Sequence, residues 1–155
     1  MEKIKILLVE ENEMVRYYFR DAFWLHGQPD AYEISFANGF SEARTYLREA
    51  QDIPDIIFFD LILHGNIDGK DVFAPEIGFQ LLKEIRLLPR FNPSRIVIFS
   101  SPDYFSLWRK AKGFGANYFL KKDQFLPKHL VKWVDEIMIK SDGTDYRTEK
   151  SKLLV

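Results

Sequence analysis

Three short apolar runs, Ile4 to Val9, Ile56 to Phe59 and Ile96 to Phe99, constrain this chain most, because polar residues do not alternate along any of them. A strand with one wet face shows that alternation. A strand covered on both faces does not, and a parallel sheet sandwiched between helices provides such cover. Tyr32, Ile34 and Phe36 do alternate with Glu33 and Ser35, as suits an edge strand, and Tyr118 to Leu120 supplies a fifth.

Stripes of helical period lie between the runs. They are Val15, Tyr18, Phe19, Ala22 and Phe23; then Phe40, Ala43, Tyr46, Leu47 and Ala50; then Phe79, Leu82 and Ile85. A fourth helix is expected from Pro102, with Tyr104, Leu107, Trp108 and Ala111 inward, and a fifth carries Leu126, Leu130, Trp133, Val134 and Ile137. Strict alternation with short connections implies right-handed crossovers, hence an α/β three-layer sandwich with a five-stranded parallel sheet and five helices. A chain of 155 residues is one domain. We place it at residues 1–140, with 141–155 a polar tail expected to be flexible.

Composition removes whole classes of function. Lys and Arg number 22 against 23 Asp and Glu, a net charge of −1, so no sequence-wide basic field exists to hold nucleic acid. Without cysteine there is no disulfide, thiolate metal site or thiol catalysis. No apolar stretch approaches the roughly 18 residues of a membrane span, and a cytoplasmic protein free of the membrane is expected.

In an open parallel sheet the ligand crevice lies beyond the carboxyl ends of the strands. Glu10 and Glu11 follow the first strand, Asp60 the third, Ser100 and Ser101 end the fourth, and Lys121 and Lys122 the fifth. Carboxylates about 4 Å apart repel by roughly 4 kcal/mol at an effective dielectric of about 20, so such a cluster calls for a cation. Magnesium, which takes oxygen ligands and often a phosphate oxygen, suits it. Asp60 ends the most apolar strand, and a carboxylate can serve as a nucleophile toward phosphorus. Lys122 and Ser100 are then candidates to hold the carboxylate and the phosphoryl oxygens.

At this point the chain resembles the receiver domains of two-component response regulators, of the stand-alone chemotaxis-regulator kind. The resemblance rests on residues 7–12 (LLVEEN), 54–61 (PDIIFFDL), 78–86 (GFQLLKEIR), 96–101 (IVIFSS) and 115–122 (GANYFLKK). It implies a flavodoxin-like sheet of order 2-1-3-4-5, with Asp60 accepting phosphate from a phosphohistidine on a histidine kinase or phosphotransfer protein. Glu10 and Glu11 fall on the family's acidic pair, and the Ile62 carbonyl would join them and Asp60 around magnesium. Ser100 falls on the hydroxyl switch position, Phe119 on the aromatic one and Lys122 on the lysine. The downstream target would be another protein, or a second copy, met through the face of helix four, strand five and helix five. Val131, Met138 and Phe105 are the apolar residues expected to be exposed there.

Three departures stand out. Both members of the acidic pair are Glu, which predicts weakened magnesium affinity. Asp123 replaces the proline that usually follows the lysine. Residues 63–77 form a longer connection than the family's usual one, expected to be a loop that is either a tolerated surface insertion or a segment that restricts access to Asp60 or selects the donor. The alternative function is a phosphorylation-independent interaction module with impaired metal binding. A phosphatase of the haloacid-dehalogenase kind wants a second acid where Ile62 stands, and Glu10 to Met14 holds no glycine to cradle a nucleotide.

Overall fold

A computed structural model describes residues 2–122 and 126–139. The tail at 141–155 and Asp123 lie outside the described residues. The element order is β1 (Ile4–Val9), α1 (Glu13–His26), β2 (Tyr32–Ala37), α2 (Phe40–Glu49), β3 (Ile56–Phe59), β4 (Leu63–Ile67), β5 (Lys70–Ala74), α3 (Pro75–Arg86), β6 (Arg95–Ser100), α4 (Trp108–Gly113), β7 (Tyr118–Lys121) and α5 (Pro127–Ile137). Short 3-10 turns occupy Pro89–Phe91 and Pro102–Leu107.

Five strands form one parallel sheet in the order β2-β1-β3-β6-β7, which is 2-1-3-4-5 when the sheet's own strands are numbered. Side-chain parity divides the core in two. Leu7, Val9, Ile57, Phe59, Ile96 and Ile98 face α2, α3 and Ala111 of α4. Ile6, Leu8, Ile56, Phe58, Val97 and Phe99 face α1 and α5. On that second face Phe19 packs between Phe58 and Phe99, with ring centroids 4.9 and 5.8 Å away. Both faces of the central strands are therefore dry, which is why their sequences do not alternate.

Helix one begins where Asn12 caps it, its Oδ1 accepting from the backbone N–H groups of Met14 and Val15. The fourth helix is shorter than the stripe predicts: residues 102–107 take the tighter 3-10 turn and α4 starts at Trp108. Tyr104, expected inward, is exposed. Leu126 likewise stands before α5 and is exposed, while Leu130, Val134 and Ile137 are buried.

The connection read as a loop is a second, two-stranded sheet. Strands β4 and β5 pair antiparallel, Leu63 opposite Ala74 and Ile67 opposite Lys70, around the two-residue turn Asp68-Gly69. Both turn residues have positive φ, 52° and 82°, the twist that suits a tight hairpin, and Asn66 Oδ1 accepts from the Gly69 N–H. Its base is welded to the domain at Gly78, whose N–H donates to the Leu61 carbonyl at 3.0 Å. A Cβ at Gly78 would sit 2.2 Å from Leu61 Cα, so only glycine permits this approach.

Candidate functional site

The strand register fixes the site. Val9 of β1 lies opposite Phe59 of β3, Phe59 opposite Ile98 of β6, and Ser100 opposite Lys121 of β7. The residues that follow these positions, Glu10, Asp60 and Lys122, thus leave the sheet at one edge. They share the parity of Leu8, Phe58 and Leu120, which places them on the α1 and α5 side.

Asp60 is the hub. Its Oδ1 accepts from Ser100 Oγ at 2.7 Å and from the Ile62 N–H at 3.0 Å, and its Oδ2 accepts from Lys122 Nζ at 2.8 Å. Lys122 Nζ also donates to both oxygens of Glu10, at 3.0 and 2.9 Å, and lies over the Phe99 ring. Ser100 is fully buried, Glu10 is 4% exposed, and the Asp60 side chain keeps 14% exposure.

Burial disfavours charge on both partners of the ion pair, with opposite outcomes. For Glu10 burial dominates over the Lys122 ammonium and lifts its pKa above the ordinary carboxylate range. Burial also works against the Lys122 charge, but Asp60 and Glu10 together outweigh it and raise the amine above its usual value. The pocket is a buried cation bridging two carboxylates.

No protein-family model and no curated protein matches the chain. Solved structures do. The chemotaxis response regulator CheY4 of Vibrio cholerae aligns over 87% of this chain and 98% of its own at 20% identity and a TM-score of 0.65. The phosphorylated cyanobacterial phytochrome response regulator RcpA aligns over 87% and 93% at 25% identity and 0.66. The Mn2+-bound form of response regulator Rcp1 aligns over 86% and 90% at 23% identity and 0.61.

This chain has the response-regulator receiver fold. In it Glu10, Asp60, Ser100 and Lys122 meet at the carboxyl edge of the sheet, and Ile62 joins them through its N–H. Glu11 goes elsewhere: its Oε2 accepts from the His64 N–H at 3.0 Å and its Oε1 lies 2.9 Å from His64 Nδ1. Among the described residues no group of three or more His, Asp or Glu side chains is placed to hold a metal ion. By donor type Glu10 and Asp60 suit a hard cation; Glu11, held on His64, does not fit the shell expected of it.

Phe119 lies half-buried on the α4 side of the sheet, edge-on to Phe105 at 5.3 Å and to Trp108 at 6.1 Å. Phe105 is exposed, as expected. Val131 and Met138 are not: they are 4% and 1% exposed and belong to the α1 and α5 core, because α5 buries a wider arc than its main stripe. They therefore do not add to the exposed apolar surface expected around α4, β7 and α5. His64 is exposed yet tied to Glu11, a pairing across 53 residues that leaves no local mark in the sequence. A cleft of about 540 Å3 opens between α1 and β2 around Trp24 and Tyr32, away from Asp60. No helix among the described residues is long and apolar enough to cross a membrane.

Proposed function

We propose that this receiver accepts a phosphoryl group on Asp60 from a phosphohistidine of a histidine kinase or phosphotransfer protein and signals through protein contacts. The observation that carries the reading is Asp60 held at the end of the central strand by three donors, Ser100, Lys122 and the Ile62 N–H. In the reaction a carboxylate oxygen of Asp60 attacks phosphorus. The O–P bond forms as the P–N bond to the donor imidazole breaks, and the released ring nitrogen takes a proton. Lys122 offsets the charge that develops on the phosphoryl oxygens, and the Ser100 hydroxyl turns from the carboxylate to one of them. That shift of Ser100 frees space toward which Phe119 turns, linking the pocket to the surface around α4, β7 and α5. This face is where the downstream protein, or a second copy of the chain, would bind.

A divalent cation such as magnesium, when bound, neutralises charge between the reacting oxygens. Asp60, Glu10 and the Ile62 carbonyl are the groups that would hold it, with Lys122 withdrawn from Glu10. A receiver of this kind modifies only itself and is a signalling domain, not an enzyme acting on a separate substrate.

The withdrawal of Glu11 onto His64 favours one second reading, a phosphorylation-independent interaction module with impaired metal binding. Incubation with magnesium and acetyl phosphate, followed by intact mass, separates the two. One added phosphoryl group in the parent and none in Asp60→Asn supports the acceptor; none in either protein at high magnesium supports the inert module.

A further inference from the structure

We propose that Glu11 latches the β4–β5 hairpin, and that this use of its carboxylate competes with ligation of a divalent cation in the Asp60 pocket. Both oxygens of Glu11 face N–H donors or ring nitrogen of a single residue, the backbone N–H and Nδ1 of His64. His64 sits in β4 directly opposite Phe73 of β5, and the two rings meet at a 33° tilt with centroids 4.4 Å apart. Fixing His64 therefore fixes both strands. The other side of the hairpin is held by apolar contact: Leu63 is buried, and Ile67 and Val72 pack on the core formed by α2 and α3. Glu11 is thus the polar clamp on a hairpin whose base is otherwise secured by burial.

The extra methylene of Glu over Asp gives this carboxylate its reach to β4. Held on His64 the Glu11 carboxylate faces the hairpin and not Asp60, so ligating a cation beside Asp60 would require it to leave His64, and each occupant lowers the affinity of the other by the same factor. The cation pocket and the hairpin surface, where Phe73 stands 57% exposed, are in this way coupled through one side chain. The proposal rests on the acceptor reading only in supposing that a hard cation enters the Asp60 pocket; no phosphodonor takes part in its test.

The test uses the parent chain, Glu11→Asp, which pulls the carboxylate back from both His64 groups, and His64→Ala, at a side chain 70% exposed and so tolerant of truncation. Manganese binding is followed by calorimetry, and amide exchange across residues 63–74 is read with and without magnesium. Both substitutions are expected to speed exchange at residue 64 without cation and to tighten manganese binding by about fivefold, and saturating magnesium is expected to speed exchange at His64 in the parent. Equal affinities in the three proteins, no binding in any of them, or exchange that ignores a bound cation each overturns the latch. Failure of the acceptor reading shows separately, as a missing mass increment with acetyl phosphate.

Discussion

Lys122 and Asp60, 62 residues apart in the chain, meet at 2.8 Å with the same ammonium also bonded to both oxygens of Glu10. One cation therefore serves two carboxylates in a pocket that water reaches only partly, and the energetics of the site depend on it.

Replacing that cation should expose the repulsion. Lys122→Met is expected to destabilise the fold by roughly 2–3 kcal/mol at neutral pH, somewhat less than for a fully dry pair because the Lys122 side chain keeps 21% exposure. In the parent the amine's pKa is raised above 10.5, so its contribution is complete below that value and fades as pH rises past it. In the variant Glu10, already raised by burial, loses the partner that held it down. The deficit should then shrink as pH falls toward 4.5 and Glu10 takes a proton, with urea midpoints at pH 7 and 5 as the measurement. A pH-independent deficit contradicts this account.

Ser100 donates to Asp60 now and to the phosphoryl oxygen after transfer in the proposed reaction. Ser100→Ala should slow phosphorylation by acetyl phosphate by about tenfold or more, as loss of one positioned donor does. Asp60→Asn should abolish it. Rates come from the time course of intact mass, and an unchanged Ser100→Ala rate would remove the hydroxyl from the mechanism.

Arg86 organises the far end of the sheet. Its guanidinium donates to the carbonyls of Gly115, Phe91 and Ser94 and to Asn117 Oδ1, tying α3, the 3-10 turn before β6 and the loop before β7 together. Burial, with Arg95 nearby, pushes its pKa down to about 10, so it remains charged at neutral pH. Arg86→Met keeps the apolar stem but leaves these acceptors without their donor, and a loss of about 3 kcal/mol is expected in urea unfolding. Phosphorylation at Asp60 should persist in the fraction that stays folded.

Gly78 lets α3 return against the Leu61 backbone after the hairpin. Gly78→Ala forces a Cβ into that contact, since 2.2 Å leaves no room and the obstacle is main chain. An expected cost of about 1–3 kcal/mol should appear as a lower Tm. Because Leu61 follows Asp60 directly, a slower phosphorylation rate should accompany it.

What the sequence determined is local and periodic. Ile56 to Phe59 announced a strand dry on both faces, and Glu10, Asp60, Ser100 and Lys122 announced themselves by standing at strand ends, where any parallel sheet collects its functional groups. The hairpin was only half legible. An Asp-Gly pair at 68–69 is a dipeptide that favours a tight turn, but Leu63–Ile67 and Lys70–Ala74 are too polar to read as strands and hold together through backbone pairing that composition does not encode. The wide burial of α5, with Val131 and Met138 inside, was set by how α1 and the sheet close over it. Only the tertiary structure decided that Glu11 faces His64 while Glu10 faces Lys122. The two neighbours have the same side chain, and their difference arises because consecutive residues leaving a strand point to opposite sides, one toward the pocket and the other toward the hairpin that folds over its edge.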